Sequence, residues 1–303
     1  MANAKSVLAK VFCLGTGVCF CVAGAATGAK AWTYHIGAGY HYFHNEIKDF
    51  TAASASNTGS RTASFSVSGI SAMASMERPF IGGALSISGK AVTDFFAGSW
   101  KNFVTDQYGN YVDSSSVSGG TTPVAGFGAR VKFQYEHGVY SWSKMNLSGL
   151  GFARYDFYLA AIALPDSSVP YENTYELWNG FTAGFGVKAT EVGPKVWGKQ
   201  LRFSEEVDLE FPLYTRMTYK YEWPARDPVL GTLIADTQKV TYHLGVKPGY
   251  RVALGCTVGR FGTVEVDYEV MNYKGDTETE NGKTYSIGDV TNSEFDVFYK
   301  IKW

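Results

Sequence analysis

Cysteine, charge of one sign and long apolar runs are all scarce in this chain of 303 residues. Three of its four cysteines, Cys13, Cys19 and Cys21, crowd near the start, and Cys256 stands alone. If that leading segment is removed, no intrachain disulfide is possible, which excludes a disulfide-stapled fold. The formal net charge is −1, so the basic footprint of a nucleic-acid-binding surface is absent. Beyond Ala26 no run reaches the ~20 apolar residues of a membrane-spanning helix, and no stretch keeps the 3.6-residue period of an amphipathic helix. Mean hydropathy is −0.11, a value that looks soluble to a hydropathy window.

The leading segment reads as a signal peptide over residues 1–26. Lys5 and Lys10 supply a positive start, Val11 to Ala26 carries no charge, and Ala23-Gly24-Ala25 fits a small-residue cleavage site. Cleavage is expected after Ala25 or Ala26, with Ala31 as a later option. A spanning anchor would need a longer run. Val18 and Phe20 precede Cys19 and Cys21 where a lipid anchor would need a small residue. The remainder, residues 27–303, reads as a single domain without linker or appended module.

What the chain has in quantity is aromatics and glycine. Aromatics reach 16%, with 20 Tyr, 20 Phe and 7 Trp beside 34 Gly. Many of them recur at every second position, the period of a half-buried strand. The final residues, FDVFYKIKW, show it most cleanly: Phe295, Val297, Tyr299, Ile301 and Trp303 share one face, and Asp296, Phe298, Lys300 and Lys302 share the other. A final strand with alternating apolar positions and a terminal aromatic resembles that of Gram-negative outer-membrane β-barrel proteins. The resemblance implies a closed antiparallel transmembrane barrel (all-β), contact with outer-membrane lipid, and recognition of the last strand by the barrel-assembly machinery.

Period-two segments predict about ten strands, with 8 or 12 possible because Tyr140 to Lys144 is ambiguous. They are Trp32 to Phe43, Ala63 to Met76, Ala84 to Phe96, Val124 to Tyr135, Leu147 to Ala163, Tyr175 to Ala189, Leu201 to Tyr219, Val240 to Val258, Phe261 to Tyr273 and Ser293 to Trp303. Joins after even strands are short or modest, and those after odd strands are mostly long and polar. Barrels of this class have that asymmetry.

Alternation then assigns faces. If apolar residues face lipid, the bore is lined by Arg130, Lys132, Arg154, Asp156, Glu206, Asp208, Glu210, His243, Lys247, Arg251, Glu265, Asp267, Glu269 and Lys300. Neighbouring strands alternate in sign, so these groups are expected to pair across the ladder. Charges in a narrow bore are costly unless paired or solvated. The expectation is a largely salt-bridged lumen. A small conducting pore for solutes or ions is the alternative.

Signs of chemistry are faint. His41, His44, Glu46 and Asp94 could meet at one mouth as a metal site or as an acid/base cluster like that of omptin surface proteases. The paired acids and Asp-His pair of that family are not found at a matching strand end, and Asp208 and Glu210 lie mid-strand. Ser64, Ser66 and Ser68 are assigned to the bore as polar lining, with no spacing that points to a nucleophile. The Gly-Phe-Gly patterns at Gly126 to Gly128 and Gly184 to Gly186 suit strands rather than phosphate loops. The acidic Gly275 to Asn281 stretch lacks calcium-loop spacing and is read as a solvated loop. No cofactor, catalytic residue or metal is assigned. The reading is a non-enzymatic structural or surface barrel, or a narrow porin-like channel. A barrel hydrolase acting on lipid or peptide, or an adhesin using its loops, are the alternatives.

Overall fold

A computed structural model describes residues 32–48, 61–105, 111–118, 124–164, 172–226, 233–259, 261–280 and 283–303. The signal peptide expected over residues 1–26 lies outside the described residues. Period-two sequence becomes strand throughout: β1 (Thr33–Ile47), β2 (Arg61–Phe80), β3 (Gly83–Thr105), β4 (Tyr111–Ser118), β5 (Val124–Trp142), β6 (Met145–Leu164) and β7 (Glu172–Val196). The second half adds β8 (Lys199–Arg226), β9 (Leu233–Val246), β10 (Gly249–Val258), β11 (Gly262–Lys274), β12 (Asp276–Glu280), β13 (Lys283–Ile287) and β14 (Val290–Lys302).

These strands close into a ten-stranded antiparallel barrel. Neighbours in sequence pair around the wall, and β14 closes it by pairing with both β1 and β11. β9 and β10 form one wall strand interrupted at Lys247-Pro248, where proline supplies no ladder N–H. β4 pairs antiparallel with the end of β3 nearest the loops, and β12 and β13 form a separate hairpin. The acidic stretch from Gly275, expected as a solvated loop, is therefore largely strand β12.

The strands run further toward the short turns than the sequence suggests. At Ile81-Gly82 and Trp197-Gly198 both residues have positive φ, 39° and 73° in one and 48° and 72° in the other. Two left-handed residues make the hairpin turn whose twist matches the flanking strands. The ambiguous Tyr140 to Lys144 stretch is the end of β5 and its turn.

Alternation, however, reverses partway up the wall. In β8, Phe181 of β7 pairs with Tyr214 and Thr182 pairs with Pro212, so Leu213 bulges out without a partner on β7. Leu213 and Tyr214 both face outward, at 55% and 48% exposure. On one side of the bulge Glu206, Asp208 and Glu210 point inward; on the other, Met217 and Tyr219 do. A matching slip separates Val246↔Tyr273 from Tyr250↔Val270, one extra residue on the β9–β10 side. A bulge inserts one residue and so exchanges the faces of everything beyond it.

The result is two stacked layers inside one wall. Toward the short turns the outside is apolar and the inside charged. Toward the loops the inside is an apolar core that includes Phe43, Val67, Tyr158, Trp178, Met217, Tyr242 and Tyr273. Tyr285 and Ile287 of the β12–β13 hairpin join it, at 1% and 3% exposure.

Candidate functional site

The charged layer is the candidate site. Its side chains come from alternate inward positions on eight wall strands, and their ion pairs span the bore. Arg130 of β5 holds Asp156 of β6 at 2.5 Å, Glu269 of β11 at 2.9 Å and Glu294 of β14 at 3.0 Å. Arg154 of β6 holds Asp156 at 2.7 Å, Glu210 of β8 at 2.9 Å and Glu269 at 2.5 Å. β5 and β11 are separated by β14, β1, β2 and β3 around the wall, so an Arg130–Glu269 pair must reach from one side of the bore to the other. Below it, Arg251 meets Glu206, Asp208 at 3.0 Å and Asp267 at 2.8 Å. Lys132 lies 3.5 Å from Asp208 and 3.7 Å from Glu206, with its ammonium 4.1 Å over the Phe152 ring. Lys300 meets Glu265 at 2.5 Å.

Twelve of the fourteen charged residues singled out from sequence thus point into this layer, and two do not. His243 is exposed on the outer wall and its ring lies 6.2 Å from that of Tyr214. Lys247 sits at the β9–β10 break, paired with Asp289 near the loop end. Both were assigned to the bore by carrying one alternation through the break. The same reversal puts Tyr242 and Leu244 inside, at 0% and 5% exposure, and Arg216 outside. On β2 it is Phe65 and Val67 that are buried, at 2% and 0%, while Ser64 and Ser66 occupy the opposite face. The Ser66 hydroxyl lies 2.8 Å from His44 Nδ1.

Sequence reasoning placed Glu136 inward but missed Lys90, Lys188 and Glu294 as members of the network. The Lys90 ammonium contacts Glu294 and lies 2.9 Å from Asp296, reaching across β1 and β2. Lys188 meets Glu136 at 2.8 Å. Even-numbered positions along β3, from Ser86 through Ser88 and Lys90 to Asp94, carried the signal for Lys90. Glu294 shares the inward face of β14 with Asp296, opposite the apolar residues that mark the strand.

The expected histidine cluster is only half assembled. His41 faces inward at 1% exposure, with Nδ1 2.9 Å from Asp296 and Nε2 3.6 Å from Asp94. His44 and Glu46 occupy the opposite face of β1. The Tyr158 hydroxyl donates to Asp94 at 2.8 Å. His41, Glu294 and Asp296 bring three ligand atoms close enough for a cation, but the Lys90 ammonium already lies between the two carboxylates. As a proteolytic site the cluster is also misplaced: Asp94 and Asp296, at 0% and 2% exposure, lie beneath the apolar core rather than on an open rim.

Two cavities lie among the described residues of the charged layer. A cavity of about 80 Å³ separates the layers, between Trp178, Tyr158 and Tyr273 on one side and Arg130, Arg154 and Glu269 on the other. One of about 180 Å³ lies nearer the short turns, among Ser86, Ser88, Glu136, Lys188 and Lys300. Either accommodates waters.

No protein-family model matches this chain, and no curated protein matches it in sequence. Among solved structures it is similar to the outer membrane protease OmpT of Escherichia coli, at 10% identity over 91% of this chain and 97% of that one, with a TM-score of 0.59. A major outer membrane protein of Thermus thermophilus matches at 10% identity over 87% and 99%, TM-score 0.35. The translocator domain of the autotransporter NalP of Neisseria meningitidis matches at 11% over 98% of each chain, TM-score 0.30. At 10% identity the OmpT likeness is one of fold: this chain has the fold of an outer-membrane β-barrel.

Proposed function

We propose that this protein is a non-enzymatic outer-membrane barrel whose bore is closed by its own side chains, a wall that presents its loops at the cell surface. The short turns would face the periplasm and the long joins the exterior. Export by the leading signal peptide and insertion through the barrel-assembly machinery belong to the same reading. One observation carries it: cross-bore ion pairs of Arg130 and Arg154 lie directly beneath an apolar core sealed at 0–9% exposure. A solute path would have to break both. Purified protein in planar bilayers should give no regular conductance steps. Uniform steps at physiological salt would overturn the closed bore and favour the narrow channel. Hydrolysis gains no support from the site, because the buried His41 cluster offers substrate no access.

A further inference from the structure

The larger cavity, of about 180 Å³, has one wall without acid. Ser88 of β3 stands opposite Lys132 of β5, and Ser86 stands opposite Gln134. On the other side of β3, Ser75 of β2 is the partner of Ser88. All five side chains line the cavity. The acids of these strands, Glu77 and Glu136, enter only where the wall nears its turn. Among the described residues no hydrogen bond ties up the side chains of Ser75, Ser86, Ser88 or Gln134. The wall therefore offers hydroxyl and amide donors beside an ammonium, with no carboxylate between them.

The charges around the cavity point the same way. Its lining holds seven cationic side chains and five carboxylates. Asp156, Asp208, Glu210, Glu269, Glu294 and Asp296 lie outside that lining, and each is already held by a base of the network. Lys132 is the least committed of those bases. Its nearest carboxylate oxygens lie at 3.5 Å on Asp208 and 3.7 Å on Glu206, and Arg251 holds both of those acids. Lys188 and Lys300, by contrast, each hold one acid, at 2.8 and 2.5 Å. An ammonium flanked by neutral donors matches an oxyanion, whose oxygens only accept. The space is sufficient, since a cavity of about 150 Å³ takes a benzene molecule and phosphate is smaller. Lys188 and Glu136, at 25% and 26% exposure, stand at the short-turn end, where a solute would enter.

We infer that this cavity binds a small dianionic oxyanion of the phosphate class, seated against the β2–β3–β5 wall with Lys132, Ser86 and Ser88 donating to its oxygens. The site goes beyond the closed barrel proposed above and does not depend on the closure. Titration calorimetry of inorganic phosphate into the purified full-length barrel in zwitterionic detergent, at mildly alkaline pH and constant ionic strength, should show saturable binding. Lys132→Gln removes a charge-assisted hydrogen bond and should weaken binding about tenfold or more. Ser88→Ala removes a neutral donor, leaves every ion pair in place, and should weaken binding roughly fivefold. It keeps the test sharp if Lys132→Gln fails to fold. Lys48→Gln, outside the cavity at the loop end, should leave binding unchanged. Absence of saturable binding to the folded parent overturns the site, and so does undiminished binding by the folded Ser88→Ala variant. Equal weakening by Lys48→Gln would show diffuse attraction to lysines and overturn it as well. Regular conductance steps with phosphate binding retained would overturn the closed bore while supporting the site.

Discussion

Arg154 and Met217 both point into the bore and are both shut off from water, at 2% and 0% exposure, yet different forces hold them. Arg154 sits at the level where the outside of the wall is apolar, among Tyr155, Phe185 and Leu209. There the inside must take every polar group of the wall, and it does so with paired charges. Met217 sits beyond the bulge, where Arg216, His243 and Lys239 face outward. There the inside resembles the core of a water-soluble protein, with burial of apolar surface as the driving force. One continuous wall thus follows two opposite rules for what goes inside, and the exchange occurs at Leu213 on β8 and at Lys247-Pro248 on the neighbouring strand.

The sharpest way to break this comparison is to impose on the outer layer the rule of the inner one. Met217→Lys places a charge at an inward position of β8 beyond the bulge, where the described neighbours are apolar. Burying an unpaired lysine costs several kcal/mol, and losing the buried methionine forfeits ~1.5–3 kcal/mol more. The expected outcome is loss of heat-modifiable folded barrel. A Met217→Lys variant that folds with parental stability would show that the inside beyond the bulge tolerates charge as the inner layer does.

Single substitutions on either side of the exchange should differ in kind. Arg154→Ala strands Glu210 and leaves Glu269 and Asp156 with Arg130 alone, and removal of one partner from a buried pair costs about 3–5 kcal/mol. The denaturation midpoint should fall for the whole barrel, because these pairs tie β6 to β8 and β11 across the bore. Met217→Ala removes buried apolar volume at a cost of about 2–5 kcal/mol. Its effect should be concentrated in the outer half, read as faster amide exchange in β9 and the β12–β13 hairpin while β5 and β6 keep their protection. Equal acceleration throughout in both variants would mean that the two layers unfold as one unit, and the comparison would lose its energetic meaning.

The barrel itself was legible in the sequence because period-two alternation is local: Phe295 to Trp303 or Ala125 to Tyr135 identify strand and lipid face from a few residues. The inner charges at Arg130, Arg154 and Glu269 followed from the same local rule. Two things were not legible. The cross-bore partners depend on wall closure, so pairing was expected between adjacent strands, whereas Arg130 finds Glu269 and Glu294 on the far side. The exchange of faces was also missed. Val240 to Val258 alternates cleanly within each half, and a one-residue slip at Lys247-Pro248 leaves no mark in composition. Proline inside a run was the available warning. Phe65, Val67, Tyr242 and Leu244 looked lipid-facing for the same reason: an apolar face shows that something dry lies beside it, but not whether that is lipid or the protein's own core.

The smallest effect belongs to the hairpin that caps the apolar core. Its return strand is followed by Asp289, whose carboxylate accepts a hydrogen bond from the Lys247 ammonium. The backbone around it is tied as well, with Lys48 N–H donating to Asp289 O at 3.0 Å and Gly288 N–H to Lys48 O at 2.8 Å. The Lys247 hydrogen bond holds the Asp289 carboxyl below the usual carboxylate range. A group whose folded value is depressed contributes stability above its unfolded value, near ~3.9 for Asp, and loses it as pH falls through the lower folded value. Both partners are exposed, at 40% and 51% of their side-chain surface, so solvent screening limits the pair to about 0–1 kcal/mol. Lys247→Ala should therefore loosen the hairpin slightly at pH 7, seen as a modest rise in protease cleavage near Asp276. In denaturant melts the difference from the parent should shrink below pH ~4 and vanish once Asp289 is protonated. A difference that stays the same size at pH 2 would show that Lys247 acts through packing at the strand break rather than through Asp289, and the hairpin would then be held by Tyr285 and Ile287 in the core.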